Sequence, residues 1–104
     1  MKRVLSTLTM AVAMVAIAAP ALADQALATS RNCMACHAID KKIVGPAYKD
    51  VAEKYKADKT AADRLALKIM KGGAGVWGPV PMPANVQVTE LEAKKLASWV
   101  LSLK

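Results

Sequence analysis

Large side chains and metal-binding side chains are scarce in this sequence. Phenylalanine is absent, two Trp and two Tyr supply all the aromatic rings, and the 104 residues include only two Cys and one His. So small a set argues against a structural zinc site, which takes four ligands and most often draws them from Cys and His. It also leaves few large residues for a core, and a single short domain is only marginally stable without a staple.

Charge is absent from Val4 to Ala23, after two basic residues at the start of the chain. A basic start, an apolar stretch and the ending Ala-Leu-Ala are typical of a secretory signal peptide. A retained membrane anchor is the alternative, but Pro20 interrupts the apolar stretch and the Ala-x-Ala ending favours cleavage. We therefore predict that residues 1–23 are a cleaved signal peptide and that residues 24–104 form one exported domain.

Acidic residues are few, with eight Asp and Glu against fifteen Lys and Arg. Removal of the signal peptide leaves 13 basic and 8 acidic residues, a formal charge of +5. Such mild basicity favours acidic protein partners or an anionic surface. Because the lysines are spread over several segments of an exported chain, it does not indicate a nucleic-acid partner.

Apolar residues recur at three- and four-residue spacing and no strand pattern occurs, which predicts an all-α fold of about four helices. Thr60 with Asp63, and Thr89 with Glu92, resemble capping boxes that open the third and fourth helices. The four predicted helices run from Asp24, as a cap, to about Asn32, from Pro46 to Tyr55, over 61–71 and over 90–104.

A loop of Gly and Pro residues separates the third and fourth helices. Residues 72–85, GGAGVWGPVPMPAN, contain four Gly and three Pro, which excludes a helix or a central strand. Gly72 and Gly73 end the third helix. Loops this long in a small domain are usually functional or disordered, and Trp77 and Met82 are not typical of disorder.

Both cysteines and the only histidine lie within five residues, Cys33-Met-Ala-Cys36-His37. A zinc site lacks a second pair of ligands, and a thioredoxin-like dithiol belongs to a βαβ setting that this sequence does not contain. A disulfide across two residues closes too small a loop to stabilise the domain much. The interpretation we favour is c-type haem attachment, for which C-x-x-C-H is the signature.

The motif matches the geometry of a covalent haem. Two thiols on one helical turn match the spacing of the two vinyl groups, with which they form thioethers, and His37 then lies beneath the iron. Export agrees with this interpretation, since the attachment is made on the outer side of the bacterial membrane. A covalent porphyrin also supplies the staple and the apolar centre that the composition lacks. We predict one haem c on Cys33 and Cys36, in the periplasm.

An iron that carries electrons needs a second permanent axial ligand, and without a second His the natural donor is a Met thioether. Met34 lies inside the cysteine motif and cannot reach the opposite face. Met70 lies on the predicted third helix, where core packing explains it. Met82, between Pro81 and Pro83, has the stiff backbone that suits a ligand. The alternative interpretation of Met82 is that it is an exposed loop methionine.

Ligands of a haem need hydrogen-bond partners of their own. His37 must donate its second ring N–H, and the carbonyl of Pro46 is a candidate acceptor. Asn85, three residues after Met82, is a candidate either to donate to the thioether sulfur or to brace the loop. The candidate donors to the propionates are Trp77, which simple packing would also explain, and Lys68 or Lys71.

A family resemblance is carried by the stretches CMACHAID, VGPAYKDVAEKY, KIMKGGAGVWGPVPMP and LASWVLSLK, and by His37 and Met82, which are 45 positions apart. From Asp24 to Lys104 the chain resembles the short bacterial class I monohaem cytochromes c, the cytochrome c-551/c-552 family. The resemblance implies four helices around one haem. It implies His37 and Met82 as axial ligands and Cys33 and Cys36 as the thioether sites.

The same resemblance implies Pro46 as the acceptor for His37, Asn85 as the partner of Met82, and Trp77 as a propionate donor. Two positions depart from the family pattern. Many relatives have an aromatic residue in the first helix where this chain has Ala28. Lys68 stands where an Arg is common near a propionate, and an ammonium does not reproduce the paired donors of a guanidinium.

The function implied is that of a periplasmic one-electron carrier, not an enzyme, between membrane cytochrome complexes and soluble reductases or oxidases. Two axial side chains leave no open iron position for a substrate. The alternatives are a haem peroxidase or gas sensor, and a thiol-disulfide oxidoreductase using Cys33 and Cys36. We expect a monomer without a nucleic-acid partner and without stable membrane insertion after cleavage.

Redox partners are expected to dock where the haem edge nears the surface. Met34, Ala35, Ile43, Val44, Val80 and the neighbouring prolines are uncharged, and Lys41, Lys42 and Lys49 are near them in sequence. They predict a small apolar contact patch rimmed by lysines, suited to brief association. The alternative is that these lysines are ordinary surface charge.

Overall fold

The computed structural model describes residues 7, 9–13 and 20–104, and all regular elements in that part of the chain are helices. They are α1 (Pro20–Ser30), α2 (Tyr48–Tyr55), α3 (Ala61–Lys71) and α4 (Glu90–Ser102), with a single 3₁₀ turn at Cys33–Ala35. The predicted all-α fold of about four helices is therefore confirmed.

The predicted signal peptide, residues 1–23, lies for the most part outside the described residues. Helix α1 begins at Pro20, so the end of that segment is continuous with the first helix. Within the described ranges, no helix combines the length and the apolar character that a membrane crossing requires.

Two predicted helix starts are wrong. Helix α1 begins at Pro20, so Asp24 lies inside it instead of capping it; proline is well suited to a first helical position because it has no N–H to leave unpaired. Helix α2 begins at Tyr48, after an extended Ala47 as N-cap, and Pro46 lies outside it. The N–H of Tyr48 donates to the carbonyl of Ala38 at 2.9 Å, so the preceding loop completes the end of the helix.

The two predicted capping boxes have different outcomes. At α4, Thr89 accepts from the N–H of Glu92 and the Glu92 carboxylate accepts from the N–H of Thr89, so this box is confirmed. At α3 the box is wrong, since the Thr60 side chain makes no capping bond. Asp58 instead accepts from both the N–H and the hydroxyl of Thr60, at 2.9 and 2.7 Å, and this nearer carboxylate replaces Asp63.

Helix α4 packs against each of the other three helices and forms the centre of the core. The buried cluster is built mostly from small and medium side chains: Ala28, Val51, Ala66, Val88, Ala93, Leu96, Ala97 and Val100, with Tyr48 and Trp99. Ala28, on the first helix, is completely buried. Helices α2 and α4 thus supply most of the core cluster.

The segment between α3 and α4 forms neither helix nor strand, as predicted. Gly72 ends α3 with a φ of 73°, in the left-handed region that favours glycine. Its next residue, Gly73, forms an isolated antiparallel bridge with Met82, so the loop closes back on the end of α3.

Candidate functional site

One cavity of about 330 Å³ lies between the cysteine motif, α2, α3, α4 and the Gly/Pro-rich loop. Cys33, Cys36, His37 and Met82 all line it. The apolar side chains on its wall include Val51, Leu65, Ile69, Leu96 and Val100. The fold therefore brings the cysteine motif (33–37) and the Gly/Pro-rich loop that carries Met82 (the methionine loop, 72–85) to the same largely apolar cavity.

The imidazole of His37 is buried and held from two sides. Its Nδ1 lies 2.8 Å from the carbonyl oxygen of Pro46. A carbonyl can only accept, so Nδ1 carries the proton and Nε2 keeps its lone pair for a metal. The Tyr48 ring stacks on the imidazole with 4.7 Å between centroids and 18° between planes, and Trp99 meets Tyr48 edge-on.

The two thiols are arranged by a tight turn. Asn32, with φ 63°, precedes the 3₁₀ turn, and the N–H of His37 donates to the carbonyl of Cys33 at 3.1 Å. Both cysteines are partly buried. Burial raises the pKa of the Cys33 thiol, and a hydrogen bond from the Tyr48 hydroxyl opposes part of that rise. The same tyrosine therefore stacks on the histidine and influences the pKa of one of the thiols.

Two glycines hold the backbone of Met82 on the end of α3. The N–H of Met82 donates to the carbonyl of Gly73 at 2.8 Å, and the N–H of Gly73 donates back at 3.0 Å. A methyl group added to Gly72 would collide with the Met82 carbonyl. Met70, by contrast, packs against the core cluster and is not part of the cavity wall, which agrees with its interpretation as a packing residue.

Asn85 braces the exit of the loop. Its backbone N–H and its side-chain Nδ2 both donate to the carbonyl of Ile69, at 3.3 and 2.8 Å. Of the two candidate roles, the described contacts match bracing of the loop, and none of them joins Asn85 to the Met82 sulfur.

The candidate propionate donors differ in whether they line the cavity. Trp77 lines the cavity, is 41% exposed, and has the Lys54 ammonium 5.6 Å from its ring centroid. Lys68 lines the cavity too, with its side chain folded over Gly73. Lys71 is exposed and does not line the cavity.

Sequence reasoning missed the parts of the site that depend on close approach. Gly45 follows no pattern in the sequence beyond a turn before Pro46, although a β-carbon at this position would lie 2.5 Å from Cε1 of the His37 ring. Tyr48 lies on the predicted second helix, and nothing in the helical periodicity indicates that its ring stacks on the imidazole. Gly73 was visible only as a helix stop, not as the backbone partner of Met82.

These residues fit a haem c. Two thiols at the attachment spacing, an imidazole with a free Nε2 lone pair and a thioether line the same apolar cavity. Cys33 and Cys36 would hold the porphyrin, and His37 and Met82 are the side chains with the donor atoms that a haem iron takes.

Comparison with known proteins agrees with this donor set. The cytochrome c family model matches residues 21–104. Cytochrome c-552 of Hydrogenobacter thermophilus is 56% identical over 93 residues, which cover 89% of this chain and 94% of that protein. Cytochrome c-551 of Stutzerimonas stutzeri is 60% identical over 87 residues, covering 82% and 83%.

Solved structures give the same result. The crystal structure of Nitrosomonas europaea cytochrome c552 superposes with a TM-score of 0.76 at 52% identity, and covers 77% of this chain and 99% of that one. The cavity, its donor atoms and the relatives thus agree, and the chain belongs to the cytochrome c family, as a class I monohaem member with one covalently attached haem c.

Proposed function

We propose that this protein is a periplasmic one-electron carrier in which His37 and Met82 are the axial ligands and Cys33 and Cys36 the attachment sites. The observation that carries the proposal is the presence of all four side chains on the wall of one apolar cavity. When bound, the haem supplies a one-electron ferrous–ferric couple. A thioether ligand favours the ferrous form, which keeps the potential positive.

The remaining residues have positioning roles in this proposal. The Pro46 carbonyl orients the imidazole and fixes its tautomer. Asn85 braces the loop that carries Met82. Trp77 and Lys68, which line the cavity, are the proposed donors to the propionates. The apolar side chains of α2, α3 and α4 exclude water from the iron.

A carrier is favoured over an enzyme or a gas sensor by the donor inventory. A peroxidase needs an open distal position with a base, and His37 is the only histidine in the sequence. A thiol-disulfide oxidoreductase would use the same two cysteines, but both line the apolar cavity that also carries the proposed axial ligands. The relatives named cytochrome c-551 and c-552 support the carrier.

The proposed partners are acidic redox proteins, a membrane cytochrome complex on one side and a reductase or oxidase on the other. Val44 and Val80 line the cavity and are 54% and 62% exposed, and Ile43 beside them is 48% exposed. This apolar opening supports the predicted contact patch. We further propose that residues 1–23 are removed on export and that the mature domain acts as a monomer.

Replacement of the two methionines tests the ligand set. Met82→Ala should abolish the sulfur–iron charge-transfer band of the ferric protein, admit carbon monoxide to the ferrous protein and lower the reduction potential. Met70→Leu is a volume-conserving change and should do none of this, with a stability cost below about 1.5 kcal/mol. Loss of the band in Met70→Leu and its survival in Met82→Ala would reverse the assignment.

A further inference from the structure

The side chain of Gln87 joins two segments that are far apart in sequence. Its Nε2 donates to the backbone carbonyl of Arg31 at 3.1 Å and to Oδ1 of Asn85 at 3.2 Å. Arg31 lies two residues before Cys33, and Asn85 lies three residues after Met82. One amide group therefore connects the approach to the cysteine motif with the exit of the methionine loop.

These contacts fix the orientation of both amides. The Arg31 carbonyl can only accept, so the nitrogen of Gln87 must face it, and the second hydrogen of that nitrogen is left for Asn85. Asn85 then presents its oxygen to Gln87 and its nitrogen to the carbonyl of Ile69, which also can only accept. If Asn85 turned its amide over, both contacts would be lost.

Arg31 is itself held in place. Its guanidinium donates to Oε2 of Glu92 at 2.7 and 3.2 Å, and Glu92 closes the capping box at the start of α4. Gln87 therefore connects the loop to a point fixed by α1 and α4 together. Without it, Asn85 would still contact Ile69 but would have no restraint on its oxygen among the described contacts.

We propose that Gln87 is a positioning residue for the Met82 ligand, which it restrains through Asn85; the inference rests on the proposed function of Met82. The restraint keeps the loop exit on α3, so that the thioether stays where the iron requires it. Because Gln87 is exposed and its hydrogen bonds compete with water, the loss of these bonds should increase only modestly how often Met82 leaves the iron.

The rate at which cyanide binds to the ferric holoprotein reports this opening, since cyanide enters only when Met82 has left. Gln87→Met keeps a side chain of similar length without hydrogen-bond donors, and should raise the rate about fivefold. Val86→Ala is the matched control, because Val86 is 93% exposed in the same turn; its rate should equal that of the wild type. Asn85→Ala should raise the rate at least as much as Gln87→Met.

The combination Asn85→Ala with Gln87→Met separates positioning from general loosening of the fold. If Gln87 acts through Asn85, the double variant binds cyanide no faster than Asn85→Ala alone. A wild-type rate in Gln87→Met, an equal increase in Val86→Ala, or a full fivefold increase on top of Asn85→Ala would each overturn the proposal.

Met82→Ala, measured in the same series, distinguishes this inference from the proposed function. Fast binding in Met82→Ala together with a wild-type rate in Gln87→Met overturns only the role of Gln87. A wild-type rate in Met82→Ala overturns the ligand assignment, and the role of Gln87 with it.

Discussion

Gly45 and His37 are in such close contact that no side chain fits between them. A β-carbon on Gly45 would lie 2.5 Å from Cε1 and 2.8 Å from Nδ1 of the imidazole. The backbone of Gly45 is not in the left-handed region, where only Gly72, Gly75 and Gly78 are found among the described glycines. Glycine is therefore required at position 45 for steric reasons. The ring that it accommodates is that of His37, whose Nδ1 is hydrogen-bonded to the Pro46 carbonyl.

Gly45→Ala should displace the imidazole and weaken its hydrogen bond to Pro46. We expect a loss of stability of about 1–3 kcal/mol, the usual cost of overpacking, with a rise in high-spin ferric haem. Urea unfolding and the ferric absorption spectrum measure the two effects. Gly75→Ala is the control: its β-carbon meets nothing within 4 Å, but its φ of 95° is strained for alanine. It should lower stability and leave the spectrum unchanged.

The contrast between Gly45 and the helices shows what the sequence could predict. Tyr48 and Val51 on α2 lie at helical spacing, as do Leu96 and Val100 on α4, and that spacing predicts the apolar faces that the structure buries. The cysteine motif is local as well, so its chemistry could be predicted from five letters. The contact of Gly45 with His37 and the pairing of Gly73 with Met82 depend on how the chain folds back, which no local pattern encodes.

Helix caps illustrate the same division. The pairs Thr60/Asp63 and Thr89/Glu92 both fit the capping pattern, but the first is displaced by Asp58, two residues earlier. The carboxylates of Asp58 and Asp63 are both near enough in sequence to accept from the N–H of Thr60. The capping pattern does not indicate which of the two accepts. The start of α2 was also unpredictable, because its first N–H groups are paired with carbonyls of the preceding loop.

The difference between the two threonines is measurable. Thr89→Ala removes the acceptor of a complete capping box and should lower the free energy of unfolding by about 1 kcal/mol. Thr60→Ala removes only the hydroxyl that donates to Oδ1 of Asp58, and the same oxygen still accepts from the backbone N–H of residue 60, so the change should cost less. Urea unfolding of both variants decides the matter; a larger loss for Thr60→Ala would mean that the predicted box at α3 exists in solution.

The ion pair of Arg31 and Glu92 should make stability depend on pH. The hydrogen bond from Arg31, helped by that from the Thr89 N–H, lowers the pKa of Glu92 below its ordinary value of 4.5. A lowered pKa means that the stabilisation is complete above pH 4.5 and is lost as the pH falls through the lower, folded-state value. Glu92→Gln should thus be less stable than the wild type at pH 6, with the difference shrinking below pH 4.5.

Acid titration of unfolding for the two proteins tests this expectation. Glu90→Gln is the matched control at the same helix start, since Glu90 is exposed and its oxygen is 3.4 Å from the Lys94 ammonium. Exposed pairs of this kind contribute little. An unchanged difference between wild type and Glu92→Gln down to pH 3 would show that the carboxylate charge does not stabilise the fold.

Mass spectrometry of protein from the periplasm tests attachment and processing together. We expect one species, a chain beginning at Asp24 with one haem, whose haem survives denaturation because both bonds are thioethers. No thiol should react with an alkylating reagent. A Cys33–Cys36 disulfide in the mature protein would contradict the attachment sites, and a chain beginning at Met1 would contradict the cleavage.

The last prediction concerns the docking of redox partners. Ile43, Val44 and Val80 form an exposed apolar group beside the cavity, and Lys42 lines the same cavity. An apolar centre permits close approach and quick release, whereas charges at its rim act mainly on the rate of association. Lysines at this rim would attract an acidic partner before contact is made.

Lys41→Glu/Lys42→Glu should therefore slow electron transfer to an acidic redox partner and flatten its dependence on ionic strength. Lys94→Glu/Lys95→Glu changes the net charge by the same amount on α4, where Lys94 is already paired with Glu90 at 3.4 Å, and should slow the reaction much less. Stopped-flow kinetics over a series of salt concentrations compares the two. Equal slowing by both pairs would mean that only net charge steers the partner, because a specific docking face must distinguish lysines beside the cavity from lysines on another helix.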